Sequence, residues 1–207
     1  MSSYAYTDKH GAYHGPVGMR DSFRGVRGWA ALTDEQRAEK RWYPCTVVNA
    51  EFDATLETRS GPTWHWSEGQ LLCEYTVTPI PVETLIARRC SEVDALRDSH
   101  LAAGVAFDFP DGTGTVQTRS LEDSRNIQAN ASAAQMYLMA GQPEAVMQFR
   151  DMENVVHSLT AQQMLDMCAY VMGHGQGLYA TSWAHKDLLR LLTDPAAVLA
   201  YDVTGGW

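Results

Sequence analysis

Long apolar runs are missing from this 207-residue chain. Nowhere does it carry the roughly 20 consecutive apolar residues that a membrane-spanning helix needs, so membrane insertion is not expected. Basic residues are scarce too. Lys and Arg total 16 against 25 Asp and Glu, a formal net charge of −9, and the nearest thing to a basic run, Arg37 to Arg41, contains Glu39. A nucleic-acid binder must neutralise phosphates with a positive face, so no nucleic acid is expected as a partner. The four cysteines, Cys45, Cys73, Cys90 and Cys168, are scattered and form no CxxC pair. A disulfide framework is therefore not expected, and reduced, packed thiols are. The first residues, MSSYAYTDKHGAYHG, lack an apolar core and a small-residue cleavage site, and read as no secretory leader.

What remains is an ordinary globular composition, 45% apolar and 20% charged, enough for one domain or two small ones with a real core. Residues 1–31 are rich in Gly, Tyr and His, punctuated by Gly11, Gly15, Gly18, Gly25 and Gly28. They read as an extended arm. A free arm of this composition should be disordered, so an ordered one is expected to lie on neighbouring chains of an assembly. Thr33-Asp34-Glu35-Gln36 is a capping box that opens a short helix to about Arg41. Side chains then alternate over Tyr43–Asn49 and Leu71–Val77, with shorter strands at Thr55–Thr58 and Trp64–Trp66 between Gly/Pro turns. This pattern predicts an antiparallel meander, ended by Pro79 and Pro81.

From Val82 the period becomes helical. Leu85, Ile86, Val93 and Leu96 form a stripe that Gly104 is placed to stop in a left-handed cap. Val105, Phe107 and Phe109 alternate as a strand, Asp111-Gly112-Thr113-Gly114 predicts a hairpin turn, and a second strand follows near Thr115–Thr118. A helix is expected over about Leu121–Ala140, then a strand pair at Ala145–Arg150 and Val155–Leu159. Thr160-Ala161-Gln162-Gln163 is a second capping box, opening a helix that runs towards Leu192. Its inner stripe is Met164, Cys168, Val171, Gly175, Leu178, Ser182, His185, Leu189 and Leu192, whose small members would let a partner helix approach closely. Asp194-Pro195 predicts a last short turn of helix.

The stretches ARRCSEVDALRDSHLAAGVAFDF, TVQTRSLEDSRNIQ and VMQFRDMENVVHSLTAQQMLDM, followed by His174, Tyr179, Ser182 and Lys186, carry a resemblance over about residues 83–207. They resemble a domain of uncharacterised function at the C-terminal end of tailed-phage and prophage tail-fibre and tail-tip proteins. The Trp42-Tyr43-Pro44 entry and the YTVTP exit also resemble what precedes that domain in phage tail proteins. Relatives read as a smooth helix after LTAQQM, whereas Gly173, Gly175 and Gly177 interrupt it here. The spacing of the inner stripe predicts that the helix continues through them.

Reactive constellations are thin. His10 and His14 have the spacing of a helical metal pair but sit in the Gly-rich arm, and His174 and His185 are too far apart to share an ion. Ser182 lies in YATSWAH, which is no nucleophile elbow. Cys168 is placed on a buried face. Asp108 and Asp111 flank a hairpin and read as turn chemistry. No phosphate-binding or cofactor fingerprint is present, and neither an enzyme nor a metal or cofactor site is expected. Trp and Tyr favour interfaces, which makes Tyr4, Tyr6, Tyr13, Trp29, Trp42, Trp64 and Trp66 candidate contact residues. Trp64 and Trp66 share a strand face that a carbohydrate could stack on. Asp123, at the start of a helix, is expected to pair with Arg97 or Arg119.

The sequence thus predicts an α+β chain. It comprises an extended arm over 1–31, a short helix and small antiparallel β-meander over 32–81, and a three-helix domain with short β-hairpins over 82–207. The resemblance implies a structural or accessory tail component, such as a tail-fibre or baseplate protein, made in the bacterial host cytoplasm and carried in the virion tail. Its partners would be other tail proteins and further copies of itself in a symmetric assembly. A host-surface glycan or receptor-binding module and a tail-fibre assembly chaperone are the alternatives.

Overall fold

A computed structural model describes residues 3–19, 22–23, 26–49 and 51–207, without the side chains of 22, 23 and 26. Gly25 lies outside the described residues. Helices occupy about 44% and strands about 30%, an α+β fold. The chain divides into two compact units, Met1–Ile80 and Pro81–Trp207.

The first unit is built on a five-stranded sheet. Its strands are β1 (Ser3–Thr7), β2 (Tyr13–Gly18), β5 (Trp42–Val48), β6 (Glu57–Ser67) and β7 (Gln70–Pro79), and the tiny strands β3 (Ser22–Phe23) and β4 (Val26–Arg27) pair separately. The sheet order is β2-β1-β5-β7-β6. β1 pairs with β2 on one side and with β5 on the other, both antiparallel. Residues 3–18 are therefore no detachable arm: they supply an internal strand, packed on their own chain, and the reason to seat them on neighbouring subunits disappears. Nor is the sheet a pure meander, because β5 runs parallel to β7. Of the two expected strands, Trp64–Trp66 lies within β6 and Thr55–Thr58 joins it only from Glu57, Thr55 and Leu56 falling in the preceding turn. The register of β6 slips between Ser60 and Thr63. The β6–β7 hairpin turns on Glu68 and Gly69, both at positive φ (49° and 79°), the conformation a tight two-residue hairpin loop demands.

Strand alternation splits the aromatics between the two faces. Tyr4, Trp29 and Trp42 are buried on one, with Tyr6, Val17 and Leu32 packed against them. This face is tied to a 3-10 turn (Trp29–Ala31) and to α1 (Asp34–Glu39), which starts at the expected Thr33–Gln36 capping box. Buried Arg37 fixes the two together, donating to the Trp29 carbonyl (3.1 Å) and to Asp34 (2.5 Å). Ala5, Cys45, Leu71 and Cys73 form the core of the opposite face, beneath Tyr13, Tyr43 and Trp64.

The second unit contains α2 (Val82–Ala103), β8 (Val105–Phe109), β9 (Gly112–Val116), α3 (Leu121–Met139), β10 (Val146–Arg150), β11 (Val156–Thr160), α4 (Ala161–Arg190) and α5 (Pro195–Ala200). Gly104 ends α2 at φ 77° and ψ −175°. That is an extended glycine conformation and not the expected left-handed cap. A Cβ there would press on Thr115 and the Val116 carbonyl (2.7 and 2.8 Å). The hairpin turn falls at Pro110-Asp111, two residues earlier than composition suggests, because Gly112 already pairs with Phe109. Gly114 is thereby drawn into β9, where a Cβ would collide with the Asp151 carboxylate. The core joins Val105, Phe109 and Val116 of this hairpin to Ile127 and Ala134 of α3 and to Leu159, Met164, Met167, Cys168 and Val171.

α4 is the spine of the unit and packs against α2 and α3. It runs unbroken through Gly173, Gly175 and Gly177, as its inner stripe predicts. Met164, Cys168, Val171, Leu178, Ser182 and Leu189 are all buried along it. The three glycines are not needed for close approach within the chain, since a Cβ added at any of them would meet nothing within 4 Å. Each costs about 1 kcal/mol against alanine in a helix interior.

Candidate interaction surface

Four of the seven expected contact aromatics, Tyr4, Tyr6, Trp29 and Trp42, belong to the core beneath α1. Trp42 stacks on Tyr6 (5.8 Å between ring centres) and tilts against Trp29 (5.2 Å). They leave the contact set because strand alternation puts Tyr4, Tyr6 and Trp42 on the face that the 3-10 turn with Trp29 and α1 cover. Tyr13, Trp64 and Trp66 lie on the other face. Tyr13 stacks on Trp64 at 5.7 Å, and Trp66, 53% exposed, donates its indole N–H to the Tyr13 hydroxyl (3.1 Å). The Trp66 ring stands at 87° to that of Tyr43. Trp66 thus meets Tyr43 edge to face, while Trp64 lies stacked against Tyr13.

Asp123 pairs with Arg119 (3.7 Å), while Arg97 turns to Asp94 (2.6 Å) and Asp98 (2.7 Å). The main work of Asp123 is local. It accepts from the Ser120 amide (3.1 Å) while the Ser120 hydroxyl accepts from the Asp123 amide (3.0 Å), a complete capping box for α3. Sequence reading placed Asp123 at the helix start but missed Ser120 as its cap. Asp123→Ala is expected to cost about 1 kcal/mol in thermal unfolding of the second unit. A fully neutral substitution would show that the box contributes nothing.

One charged cluster was not legible beforehand. His157 on β11 is buried, and its Nδ1 lies 2.6 Å from Asp111 Oδ1 in the β8–β9 turn. Its Nε2 lies 3.1 Å from Asp151 Oδ2, just beyond β10. Phe109 stacks on the ring at 3.7 Å and 4°. Asp151 also accepts from the Val155 amide (2.7 Å), and its carbonyl accepts from Gln117 (3.1 Å). Burial alone disfavours the charged ring, but the hydrogen bonds and negative charge of Asp111 and Asp151 outweigh it and raise the His157 pKa. Burial likewise opposes the Asp151 carboxylate, yet His157 and the Val155 amide hold its pKa below the ordinary value. His157 thus bridges the β8–β9 turn and the end of β10 through both ring nitrogens, and its raised pKa favours the protonated ring that can donate to both carboxylates. Both ring nitrogens are engaged and the ring is buried. Asp111 is no mere turn residue.

Several of the other candidate reactive groups are engaged as well, whereas the Ser182 hydroxyl is buried on α4 without a hydrogen-bond partner. Burial pushes the Cys168 thiol up to about 11, and its S–H faces the Ile127 carbonyl (3.4 Å). His14 meets Asp8 (3.2 Å) and stacks on Tyr6. His185 bonds the Tyr201 hydroxyl (2.9 Å) and the Gly205 carbonyl (2.8 Å), anchoring the C-terminal segment. Among the described residues, no group of three His, Cys, Asp or Glu side chains is arranged to hold a metal ion. Among the described residues, too, no helix is long and apolar enough to cross a membrane.

The surface that stands out is the outer side of α4. Ala169, Tyr170, Met172, Gly173, Gln176, Gly177, Ala180, Trp183 and Ala184 are all exposed there. Tyr170 is 54% and Trp183 61% exposed, and Leu188 and Leu191 extend the patch. From Met167 to Lys186 the only formally charged side chain is Lys186, which turns aside to Asp94 of α2 (2.5 Å). The stretch from Tyr170 to Ala184 is thus an exposed apolar patch without a formally charged side chain. An uncharged cleft lined by Leu101, Ile127, Val171, Met172 and Tyr179 adjoins it. Sequence periodicity identified the buried side of this helix and passed over the other, because small residues and scattered aromatics register no amphipathic signal.

Residues 84–204 match a protein family described as Domain of unknown function (DUF4376), a match spanning more than half of the chain. The protein belongs to this family. No curated protein and no solved structure matches the chain.

Proposed function

We propose that the chain is a structural or accessory component of the tail of a tailed phage or phage-like particle, acting through protein–protein contacts and not through catalysis. The reading draws its context from the resemblance of residues 87–109, 115–128 and 146–167 to tail-fibre and tail-tip proteins. The observation that carries the mode of action is the exposed, uncharged apolar face of α4 within the family domain. The buried Asp111–His157–Asp151 cluster links the two hairpins. In this reading the domain docks to other tail proteins, and the first unit rests on its own aromatic core.

Quantitative mass spectrometry of purified particles tests this. The chain is expected at a fixed integral ratio to the major tail proteins. Abundance in the infected-cell lysate with absence from particles would instead establish an assembly chaperone and sink the structural reading.

A further inference from the structure

From the geometry of α4 we infer that its outer face is where copies of this chain associate, with Trp183 of each copy seated against the small residues of the next. The inference deepens the contact reading above by naming the partner as a further copy of the same chain. Three observations carry it.

The first is area. With an aromatic side chain worth about 150–250 Å² when covered, the exposed parts of Tyr170, Met172, Trp183, Leu188 and Leu191 and the small residues among them come to roughly 700 Å². A stable interface takes about 800 Å² from each partner. α4 has 30 residues, so it is about 45 Å long and can supply that area from one straight element.

The second is self-complementarity. One face holds both a ridge, formed by Met172 and Trp183, and a furrow, formed by Gly173, Gly177 and Ala180. A two-fold contact needs both on the same patch, since each copy must offer what the other lacks. Gly173 and Gly177 weaken the helix and relieve no crowding inside their own chain, because a Cβ at either would stand in open space. A neighbouring helix lying close along the furrow explains why glycine is found there.

The third is charge. The chain carries a net −9, so two copies repel over most orientations. Between Asp166 and Asp187 the only formally charged side chain is Lys186, which is paired with Asp94. Two copies can therefore meet along Tyr170 to Ala184 without a buried or opposed carboxylate, Asp187 lying beyond that stretch beside Leu188 and Leu191.

The test uses the full-length chain in light scattering and sedimentation equilibrium. The expected mass is an integral multiple of 23.0 kDa. Trp183→Glu and Ala180→Arg are expected to weaken association roughly thirtyfold or more while leaving the circular dichroism spectrum unchanged. Gly177→Ala separates the interface from helix propensity, since it should raise the melting temperature of the dissociated chain and still weaken association. Ala180→Cys, which this pairing places beside the two-fold axis, should form a disulfide-linked dimer on mild oxidation that the unmodified chain does not form. A chain of 23.0 kDa at all concentrations, or an oligomer indifferent to these substitutions, would overturn the inference. A monomer found in purified particles would defeat the pairing and leave the tail reading standing, and an associating chain absent from particles would do the reverse.

Discussion

Replacing Asp151 with alanine is expected to lower the melting temperature of the second unit by about 10 °C or more, one of the two largest effects of any single substitution in the chain. Asp151 is 1% exposed and His157 3%. Removing the carboxylate leaves the buried His157 ring with Asp111 alone, whose side chain is half in solvent, and also strips the cap from the Val155 amide. Asp151→Asn keeps an acceptor for that amide but not the counter-charge, so it should fall between wild type and alanine. The pH dependence has a defined sign. His157 has a raised folded pKa, so its stabilisation is full below its unfolded value of about 6.5 and is lost as pH rises through the folded value. Asp151 has a depressed folded pKa, so its stabilisation is present above about pH 4 and is lost as pH falls through the folded value. The second unit should therefore be most stable between about pH 4 and 6.5. A melting temperature that stays flat from pH 6 to 9, or that falls equally in His157→Gln, would remove the cluster from the account.

Trp42→Ala is the second. Trp42 is almost fully buried and touches Tyr4, Tyr6 and Trp29, so one truncation empties the centre of a small aromatic core. A large-to-small change of this kind costs about 3–5 kcal/mol, most of what a unit of this size has to spare. Urea unfolding followed by tryptophan fluorescence should show the first unit unfolded or nearly so, with the helical signal of the second retained. A loss below about 1 kcal/mol would mean that the 3-10 turn and α1 can collapse onto the sheet, and that the core is less rigid than its packing implies.

Much of the second unit was legible because its signals are local. The capping box at Thr160–Gln163, the inner stripe from Met164 to Leu189 and the Asp194-Pro195 start each specify structure within a few residues, and each is observed. The first unit misled for the opposite reason. Nothing in residues 3–7 says that β1 lies between β2 and β5, since strand neighbours are chosen by pairing over long sequence separations. A Gly-rich, Tyr-rich stretch looks the same whether it is a loose arm or an internal strand. The turn falls at Pro110-Asp111 because Gly112 pairs with Phe109, a register that turn composition does not reveal, and this brings Gly114 up against the Asp151 carboxylate and the Phe109 ring.

The sequence by itself determined the α+β class, the order of helices and hairpins beyond residue 82, the family kinship of residues 84–204 and the acidic surface. These follow from propensity, capping and periodicity, which act over one or two turns. Only the tertiary structure decided the rest. It turned Tyr4, Trp29 and Trp42 inward, brought Asp111, Asp151 and His157 together across up to 46 residues, and left the outer face of α4 bare. Burial is a property of what packs against a side chain, and its neighbours in space are not its neighbours in the chain.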